Sequence, residues 1–444
     1  MSNNPVQIFT NPVEDKKKDF NFFLLNRGIW LYFFLLLFEG ALRKWFLPFL
    51  AGPLVLVRDP IALAILFIAY KNGYVKFNFY VAITVFVGVL AIVTTLVFGH
   101  GNIGVCLFGA RIILLHFPLI FVIGEVFDKT EVLRVGNVLL YISIPMTILM
   151  AMQFYSPQSA WVNRGLGGDT EGAGFAGALG FFRPPGTFSF ISGLTQFYGI
   201  LTCFVFYFWL KPSLVKRNLL VLATICVFAA IPFSISRTLL FQTIITLLFF
   251  LFVLALEPKN ISKIFVGSII AVFVLFILSN ISVFKTPIEA FTTRFEGASE
   301  FEGGIQGTLV DRYLGSMFNS VSDDSESHFF GGGLGLATNA GSQLLSKFQG
   351  GGKWRENEWG RIILESGFLL GMAMIAIRVA LSFNLTFLSF KKLYSGNALP
   401  WLLLSFCLPL LVNGQWAQPT GLGFATFVTG ILVGAFNNTQ IPKK

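Results

Sequence analysis

The strongest constraint on this chain is a series of apolar segments, each close to the length that crosses a lipid bilayer. Of its 444 residues, 55% are hydrophobic and only 12% are charged, whereas a soluble protein carries about 25% charged residues. A membrane-spanning helix needs about 20 mostly apolar residues, and its backbone groups hydrogen-bond within the segment. The sequence therefore predicts an all-α polytopic membrane protein.

The apolar segments predict about 12 transmembrane helices in a single transmembrane domain, 1–444. Their approximate limits are 22–40, 59–70, 77–98, 103–127, 135–155, 194–210, 219–233, 238–256, 264–284, 362–390, 399–412 and 422–436. Two polar loops are longer than the others, 156–193 and 284–360. Because the stretch 362–390 exceeds the thickness of the hydrocarbon core, we expect its N-terminal end to project towards the longer loop.

The distribution of basic residues predicts the orientation of these helices. Most lysines and arginines lie in both tails and in the short links 71–76, 128–134, 211–217, 257–263 and 391–392, which fall on one side by parity. Short basic loops stay in the cytoplasm. We therefore expect both termini to be cytoplasmic and the two long loops to face outward. The same distribution explains the net charge of +10, so nucleic acid is not an expected partner.

Side chains that bind metals or cofactors form no recognisable pattern in the sequence. The four cysteines lie inside apolar segments and have neither disulfide nor metal spacing, so we interpret them as small buried hydrophobic residues. The glycine run 331–335 follows no predicted strand, and Gly352-Lys353 lacks the earlier glycine of a P-loop. The acidic run 323–326 could hold a divalent cation, but a solvated loop fits it better. We predict neither a metal nor a cofactor.

Three arginines lie where the predicted helices meet the outward loops. Arg183 stands before two prolines in the first long loop, and Arg237 lies at a tight turn between two spans. Arg111 lies about 12 Å inside its helix, at 1.5 Å per residue, where a guanidinium normally needs a partner. These side chains could be interfacial or form salt bridges, Arg111 for instance with Glu39 or Asp59. For Arg183 and Arg237 we favour a clamp on a lipid phosphate, because arginine binds phosphate through two parallel hydrogen bonds.

The end of the longer loop carries the candidates for acid–base chemistry. Glu356 and Glu358 are the expected catalytic bases, although a glutamate in this position can also serve only to start a helix. Trp354 could stack on a sugar ring or anchor the chain at the membrane interface. Arg355, and Arg312 earlier in the loop, are expected to contact the acceptor or the loop itself.

Four short motifs lie on the outward side of the predicted helices. They are Arg183-x-x-Gly186-Thr187-Phe188, Ser234-x-Ser236-Arg237, the glycine run 331–335, and Asn357 followed by Glu365-Ser366-Gly367 and Gly371. Together they resemble the bacterial O-antigen ligase and O-antigen polymerase superfamily. The resemblance implies a GT-C-type glycosyltransferase architecture in a bacterial inner membrane, with the active site in the periplasm. It also implies a metal-independent transfer of a glycan from undecaprenyl diphosphate, whose phosphates Arg183 and Arg237 would hold.

One position departs from the pattern of this family. The residue before Asn357 is Glu356, where the ligases have a histidine that is proposed to activate the acceptor. The replacement favours a polymerase of O-antigen or exopolysaccharide repeat units. The alternatives are a ligase that passes the glycan to lipid A core or a protein, and a transporter, against which the sequence shows no interrupted helix pair. Expected partners are undecaprenyl-diphosphate-linked glycan and membrane lipid, with a flippase and a chain-length regulator as further candidates.

Overall fold

The computed structural model describes residues 12–74, 78–256, 280–302, 329–338 and 357–437, together with residues 315, 317–319, 341 and 343–345. The α-helices of these residues that position the site are α1 (Pro12–Ala41), α2 (Arg58–Lys71), α3 (Phe79–Val97), α4 (Ile103–Arg111), α5 (Phe117–Val126), α6 (Lys129–Tyr155), α7 (Ile191–Leu210), α8 (Arg217–Ser234), α9 (Arg237–Ala255), α10 (Ser282–Glu302), α11 (Glu358–Tyr394), α12 (Leu399–Asn413) and α13 (Pro419–Gly434). The π-helical segment Leu42–Phe46 continues α1, and Ile112–His116 joins α4 to α5. Two short strands, β1 (Phe175–Ala176) and β2 (Phe182–Arg183), pair antiparallel.

Nine helical segments among the described residues are long and apolar enough to cross a membrane. They are Phe20–Phe46, Pro53–Lys71, Phe79–Val97, Ile103–Val126, Lys129–Tyr155, Ile191–Leu210, Arg217–Ser234, Arg237–Ala255 and Glu358–Tyr394. Helices α12 and α13 are apolar but shorter, with 15 and 16 residues. All of these elements coincide with predicted spans, so the all-α polytopic architecture is confirmed. The predicted span 264–284 lies almost wholly outside the described residues, and the number of about 12 spans stays a prediction.

Helix α7 lies at the centre of the bundle. In the most apolar stretch of α7, 83% of the residues are buried, whereas the buried share of the corresponding stretch is 22% in Pro53–Lys71 and 28% in α9. It packs against α8, α9, α12 and α13, whereas peripheral helices expose large apolar side chains such as Phe67 and Phe86. Since α7 begins at Ile191, the residues directly before it are attached to one of the most enclosed helices among the described residues.

Contacts between helix starts define one end of the bundle. The Arg58 Nη2 atom donates to Pro419 O at 2.6 Å, which joins the start of α2 to the start of α13. Glu358, the first residue of α11, accepts a hydrogen bond from Trp416 N at 3.2 Å, just before α13. We call this end, where the segment 156–190 also lies, the loop end.

Helix α11 is interrupted at Gly367, where φ is 76° and ψ is 171°. Two carbonyl oxygens next to the break accept hydrogen bonds from the glycine run: Leu364 O from Gly332 N at 2.8 Å, and Glu365 O from Gly333 N at 2.9 Å. This interruption could not be predicted from the sequence, because glycine is frequent in membrane helices in general. The glycine run thus docks against the first two turns of α11 through main-chain hydrogen bonds.

Replacing Gly367 by Ala is expected to destabilise the protein by roughly 1–3 kcal/mol, because this backbone conformation is essentially restricted to glycine. The added methyl group would also lie 2.2 Å from Phe329 O. Thermal unfolding of the purified protein in detergent measures the effect. Gly297→Ala on α10 is the matched control, since no atom lies within 4 Å of its added methyl group and alanine favours a helix. Equal unfolding temperatures for the two variants would refute the expectation.

Candidate functional site

The segment 156–190 folds into short 3₁₀ turns and the hairpin formed by β1 and β2. In the hairpin, Phe175 lies opposite Arg183. Leu179 and Gly180, with φ values of 52° and 77°, turn the chain between the two strands. Arg183 is therefore the last residue of β2, and its backbone is fixed by the antiparallel pairing.

The backbone that follows β2 is anchored to two helices. Gly186 N donates to Gln153 Oε1 of α6 at 2.8 Å, and Gly186 O accepts a hydrogen bond from Lys44 Nζ at 2.7 Å. Thr187 Oγ1 donates to Leu37 O of α1 at 2.7 Å. These bonds hold the arginine that ends β2 in a defined position at the loop end.

Arg237 is the first residue of α9 and follows a strained turn. Ile235 has φ of 47° and ψ of 40°, a left-handed conformation that is unusual for a β-branched residue. Ser236 caps α9, because its Oγ accepts a hydrogen bond from Leu239 N at 3.4 Å. An arginine here adds its charge to the positive end of the helix dipole. The turn therefore favours a negatively charged ligand.

Arg183 and Arg294 both lie beside Gly177, directly after β1, and the charges of Arg294 and Arg237 both act on Arg183. Arg294 of α10 donates through Nη1 to Gly177 O at 3.1 Å. A methyl group on the α-carbon of Gly177 would lie 2.7 Å from Ile235 Cδ1 and 3.5 Å from Arg183 Cγ, so only glycine allows this close approach. Arg237 lies two residues beyond Ile235. We call Arg183, Arg237 and Arg294 the arginine cluster.

Arg183 has no counter-ion among the described residues. Its side chain forms no hydrogen bond or ion pair with them, and its Nε atom is buried without a partner. Burial, and then the positive charges of Arg294 and Arg237, lower the pKa of Arg183 to about 10. The side chain is therefore protonated at neutral pH in surroundings that disfavour its charge. An anion among the three guanidinium groups would offset this repulsion and accept charge-assisted hydrogen bonds.

Arg294 could not be identified as a site residue from the sequence. Its hydrogen-bond partner after β1 lies 117 residues earlier in the chain, and no local pattern indicates such a contact. The available signal is the helical spacing of Phe284, Phe291 and Phe295, which predicts an amphipathic helix in the longer loop. Two of these rings pack on the bundle, Phe284 and Phe295, and so place Arg294 beside the hairpin.

Arg111 is paired inside the bundle. Its Nη1 atom donates to Asp59 Oδ2 at 2.8 Å, and its side chain is 8% exposed. The other oxygen of Asp59 bonds to His116 Nε2 at 3.0 Å, and His116 Nδ1 bonds to the Tyr32 hydroxyl at 3.1 Å. The salt bridge with Asp59, which was one of the two interpretations of this residue, is confirmed. We therefore leave Arg111 out of the diphosphate-binding residues.

Glu358 begins α11 inside a network of buried ion pairs. Arg361 donates to both of its carboxylate oxygens, at 2.8 and 3.0 Å. Arg378 Nη1 donates to Glu358 Oε1 at 2.8 Å, and Trp416 N donates to Oε2 at 3.2 Å. Arg361 also pairs with Glu365, so two carboxylates balance two guanidinium groups. Glu358 is 2% exposed, and both its oxygens are engaged. We assign it a structural role instead of the catalytic one expected from the sequence.

A cavity of about 40 Å³ lies beside this network, lined in part by Arg361, Glu365, Arg378 and Trp416. A buried water needs roughly 10–15 Å³ of such space, so the cavity has room for a few waters.

The other predicted site residues are Glu356, Arg312, Arg355 and Trp354, and they lie outside the described residues, as does the acidic run 323–326. The roles expected for them stay predictions.

The described residues bring together Arg183 and Arg237, which the sequence predicted as a pair, and Arg294, which it did not. A fold of membrane helices can host many different activities, so the site residues, and not the fold, indicate the function. Protein-family models, curated proteins and solved structures were compared with the chain, and none matches it.

Proposed function

We propose that this protein is a membrane glycosyltransferase that takes its glycan from a lipid-linked diphosphate. The observation that carries the proposal is the arginine cluster, in which Arg183 lacks a counter-ion among the described residues while the charges of Arg237 and Arg294 lie nearby. A diphosphate supplies the missing negative charge, and guanidinium groups bind its oxygens through paired hydrogen bonds. Since the bundle is apolar on its outside, the polyprenyl chain stays in the lipid while its head group reaches the loop end.

The proposed reaction is the attack of an acceptor hydroxyl oxygen on the anomeric carbon of the donor sugar. The bond between this carbon and the diphosphate oxygen breaks, and its electron pair leaves with the polyprenyl diphosphate. The arginine cluster stabilises the negative charge that develops on this leaving group. The hydroxyl proton passes to a general base, for which Glu356 remains the candidate from the sequence.

The specific activity that we propose is polymerisation of O-antigen or exopolysaccharide repeat units on undecaprenyl diphosphate. Its support is Glu356, which stands where the ligases of the similar superfamily have a histidine. Under this proposal the architecture is of the GT-C type, the loop end faces the periplasm, and both termini lie in the cytoplasm. A flippase would deliver the donor and a chain-length regulator would act on the product. A ligase that transfers the glycan to lipid A core or a protein is the nearest alternative.

Profiling of lipid-linked and surface glycans in a deletion strain tests the proposal. Loss of a polymerase is expected to leave single repeat units attached to the final acceptor, and the wild-type protein should restore long chains. Long polymer stranded on undecaprenyl diphosphate would indicate the ligase instead. Glycans unchanged in length, amount and attachment would refute both.

A transporter is the second candidate, favoured by the interruption of α11 at Gly367 and by the buried ion pairs next to it. Interrupted helices and buried charges often form substrate sites in transporters. Uptake of a labelled oligosaccharide into liposomes that contain the purified protein distinguishes the two. Uptake without any transfer product would favour the transporter.

A further inference from the structure

Two tryptophans from separate parts of the chain stack on each other at the loop end. Trp45 belongs to the π-helical segment that continues α1, and Trp161 begins a 3₁₀ turn in the segment 156–190. Their ring centroids are 5.3 Å apart, and the ring planes are inclined by 25°. Trp161 nevertheless remains 51% exposed. Because an indole is a large apolar group with a polar N–H, the exposed part of Trp161 is a surface on which a ligand can stack.

The less exposed ring of this pair is held in place by its neighbour Lys44. The Lys44 Nζ atom lies 4.6 Å from the centroid of the Trp45 ring, and it donates to Gly186 O at 2.7 Å. Lys44 is 1% exposed, and the attraction between a cation and an aromatic ring strengthens where water is excluded. Trp45 and Trp161, which we call the tryptophan platform, therefore form a surface that is fixed before any ligand binds.

Gln153 connects the tryptophan platform to the backbone that carries Arg183. Its Nε2 atom donates to Val162 O at 2.8 Å and to Gly186 O at 3.2 Å. Val162 directly follows Trp161, and Gly186 lies three residues after Arg183. The platform and the candidate diphosphate site are thus attached to the same side chain. Because the first sugar of the donor is bonded directly to the diphosphate, it is the part of the glycan that lies closest to the platform.

Arg164 lies on the same turn as the exposed ring of the platform. Its backbone N donates to Trp161 O at 3.3 Å. Its side chain is half-buried, forms no hydrogen bond or ion pair with the described residues, and has a buried Nε atom without a partner. Buried donors of this kind are rare in folded proteins. A guanidinium offers five donors to the oxygens of a sugar, and an indole ring beside it can cover the apolar face of the same sugar.

We propose that Trp161 and Arg164 form a subsite for the first sugar of the lipid-linked donor. The sugar ring stacks on the exposed indole of Trp161, and its oxygens accept hydrogen bonds from Arg164. This inference rests on the proposed function and adds to it the residues that recognise the carbohydrate. The combination of an apolar surface with a few hydrogen-bonding groups is typical of sites for small ligands.

The subsite has a consequence for the reaction. A diphosphate held at Arg183 and a sugar held at Trp161 fix the two ends of the bond that breaks during transfer, and such positioning lowers the barrier. A polyprenyl diphosphate without a glycan cannot form the contacts with the subsite. The subsite therefore distinguishes the donor from the leaving group that remains after transfer.

Equilibrium binding to the full-length protein in lipid nanodiscs tests the inference. The probes are lipid-linked glycans extracted from the deletion strain, and undecaprenyl diphosphate, which lacks the glycan. The wild type is expected to bind the lipid-linked glycan about tenfold more tightly than undecaprenyl diphosphate. In Trp161→Ala and in Arg164→Gln, the affinity for the lipid-linked glycan should fall about fivefold, the typical effect of one stacking contact or one hydrogen bond. The affinity for undecaprenyl diphosphate should stay unchanged in both variants.

Matched variants separate the subsite from a general effect of tryptophan at a membrane interface. Trp209→Ala removes a tryptophan that is 40% exposed at the other end of α7, and it is expected to bind both probes like the wild type. Trp161→Tyr keeps an aromatic face and should lie between the wild type and Trp161→Ala in its affinity for the lipid-linked glycan. This variant, and Arg164→Gln, which breaks no hydrogen bond among the described residues, still test the inference if Trp161→Ala does not fold.

Comparison of the two probes identifies the outcomes that contradict the inference. An equal loss of affinity for both probes would show that Trp161 anchors the protein at the interface, or that Arg164 binds phosphate, and either result would overturn the subsite. Unchanged affinity for the lipid-linked glycan in either variant, or equal binding of the two probes by the wild type, would overturn the inference and leave the proposed function standing. If neither probe binds to the wild type, both are overturned.

Discussion

Replacing Arg183 by Gln is expected to lower glycan transfer about 100- to 1,000-fold, the effect of removing one preorganised donor that stabilises a developing anion. The folded protein is expected to be at least as stable as the wild type. Arg183 has no hydrogen bond or ion pair to lose among the described residues, and the change removes its repulsion with Arg237 and Arg294. The amount of polymer that the purified protein forms from lipid-linked repeat units measures the effect on transfer. Thermal unfolding of the same protein measures the effect on stability.

Three further variants make this result specific. Arg134→Gln removes an exposed arginine that pairs with Glu131 at the other end of α6, and it should leave both transfer and stability unchanged. Arg183→Lys and Arg237→Lys keep the charge but lose the two parallel hydrogen bonds, so both should fall well below wild type in transfer. Normal polymer length in the Arg183→Gln and Arg237→Lys variants, at normal expression, would eliminate the arginine clamp.

Replacing Glu358 by Gln is expected to destabilise the protein by about 3–5 kcal/mol, the cost of removing one partner of a buried ion pair. The change leaves Arg361 and Arg378 with one carboxylate fewer between them, and the new amide cannot accept all four hydrogen bonds that Glu358 accepts. Chemical unfolding in mixed micelles, together with the yield of folded protein, measures the loss.

Glu289→Gln on α10 is the matched control for Glu358→Gln, because the Glu289 carboxylate is exposed and its replacement should be close to neutral.

The measurements on Glu358→Gln also separate the two roles considered for Glu358. A variant as stable as the wild type but inactive in transfer would restore Glu358 as the catalytic base. A destabilised variant with transfer per folded molecule near the wild-type level would support the structural role.

The membrane architecture could be predicted from the sequence because apolar length is a local property of the chain. Arg183 and Arg237 could also be recognised locally, since each is next to turn residues at a helix boundary. Arg294 could not, because its position depends on a contact between α10 and the hairpin, 117 residues apart. The same holds for Glu358: its partner Arg378 lies 20 residues later and Trp416 lies 58 residues later. A glutamate before an apolar helix can act as a base or form a buried ion pair, and only its contacts in the folded protein distinguish these two roles.

The anchoring of the arginine-bearing segment on α1 has a consequence for the biogenesis of the protein. Lys44 donates to Gly186 O, 142 residues later, and Arg58 donates to Pro419 O, 361 residues later. These cations are therefore synthesised and inserted long before their carbonyl partners leave the ribosome. Arg58 can already pair with Glu39 of α1 at that stage, but its Nη2 atom lacks the Pro419 acceptor until α13 has been inserted, and a buried donor without an acceptor is costly. C-terminal truncations that remove α13 should consequently be cleared by membrane quality control, even though they retain all three residues of the arginine cluster.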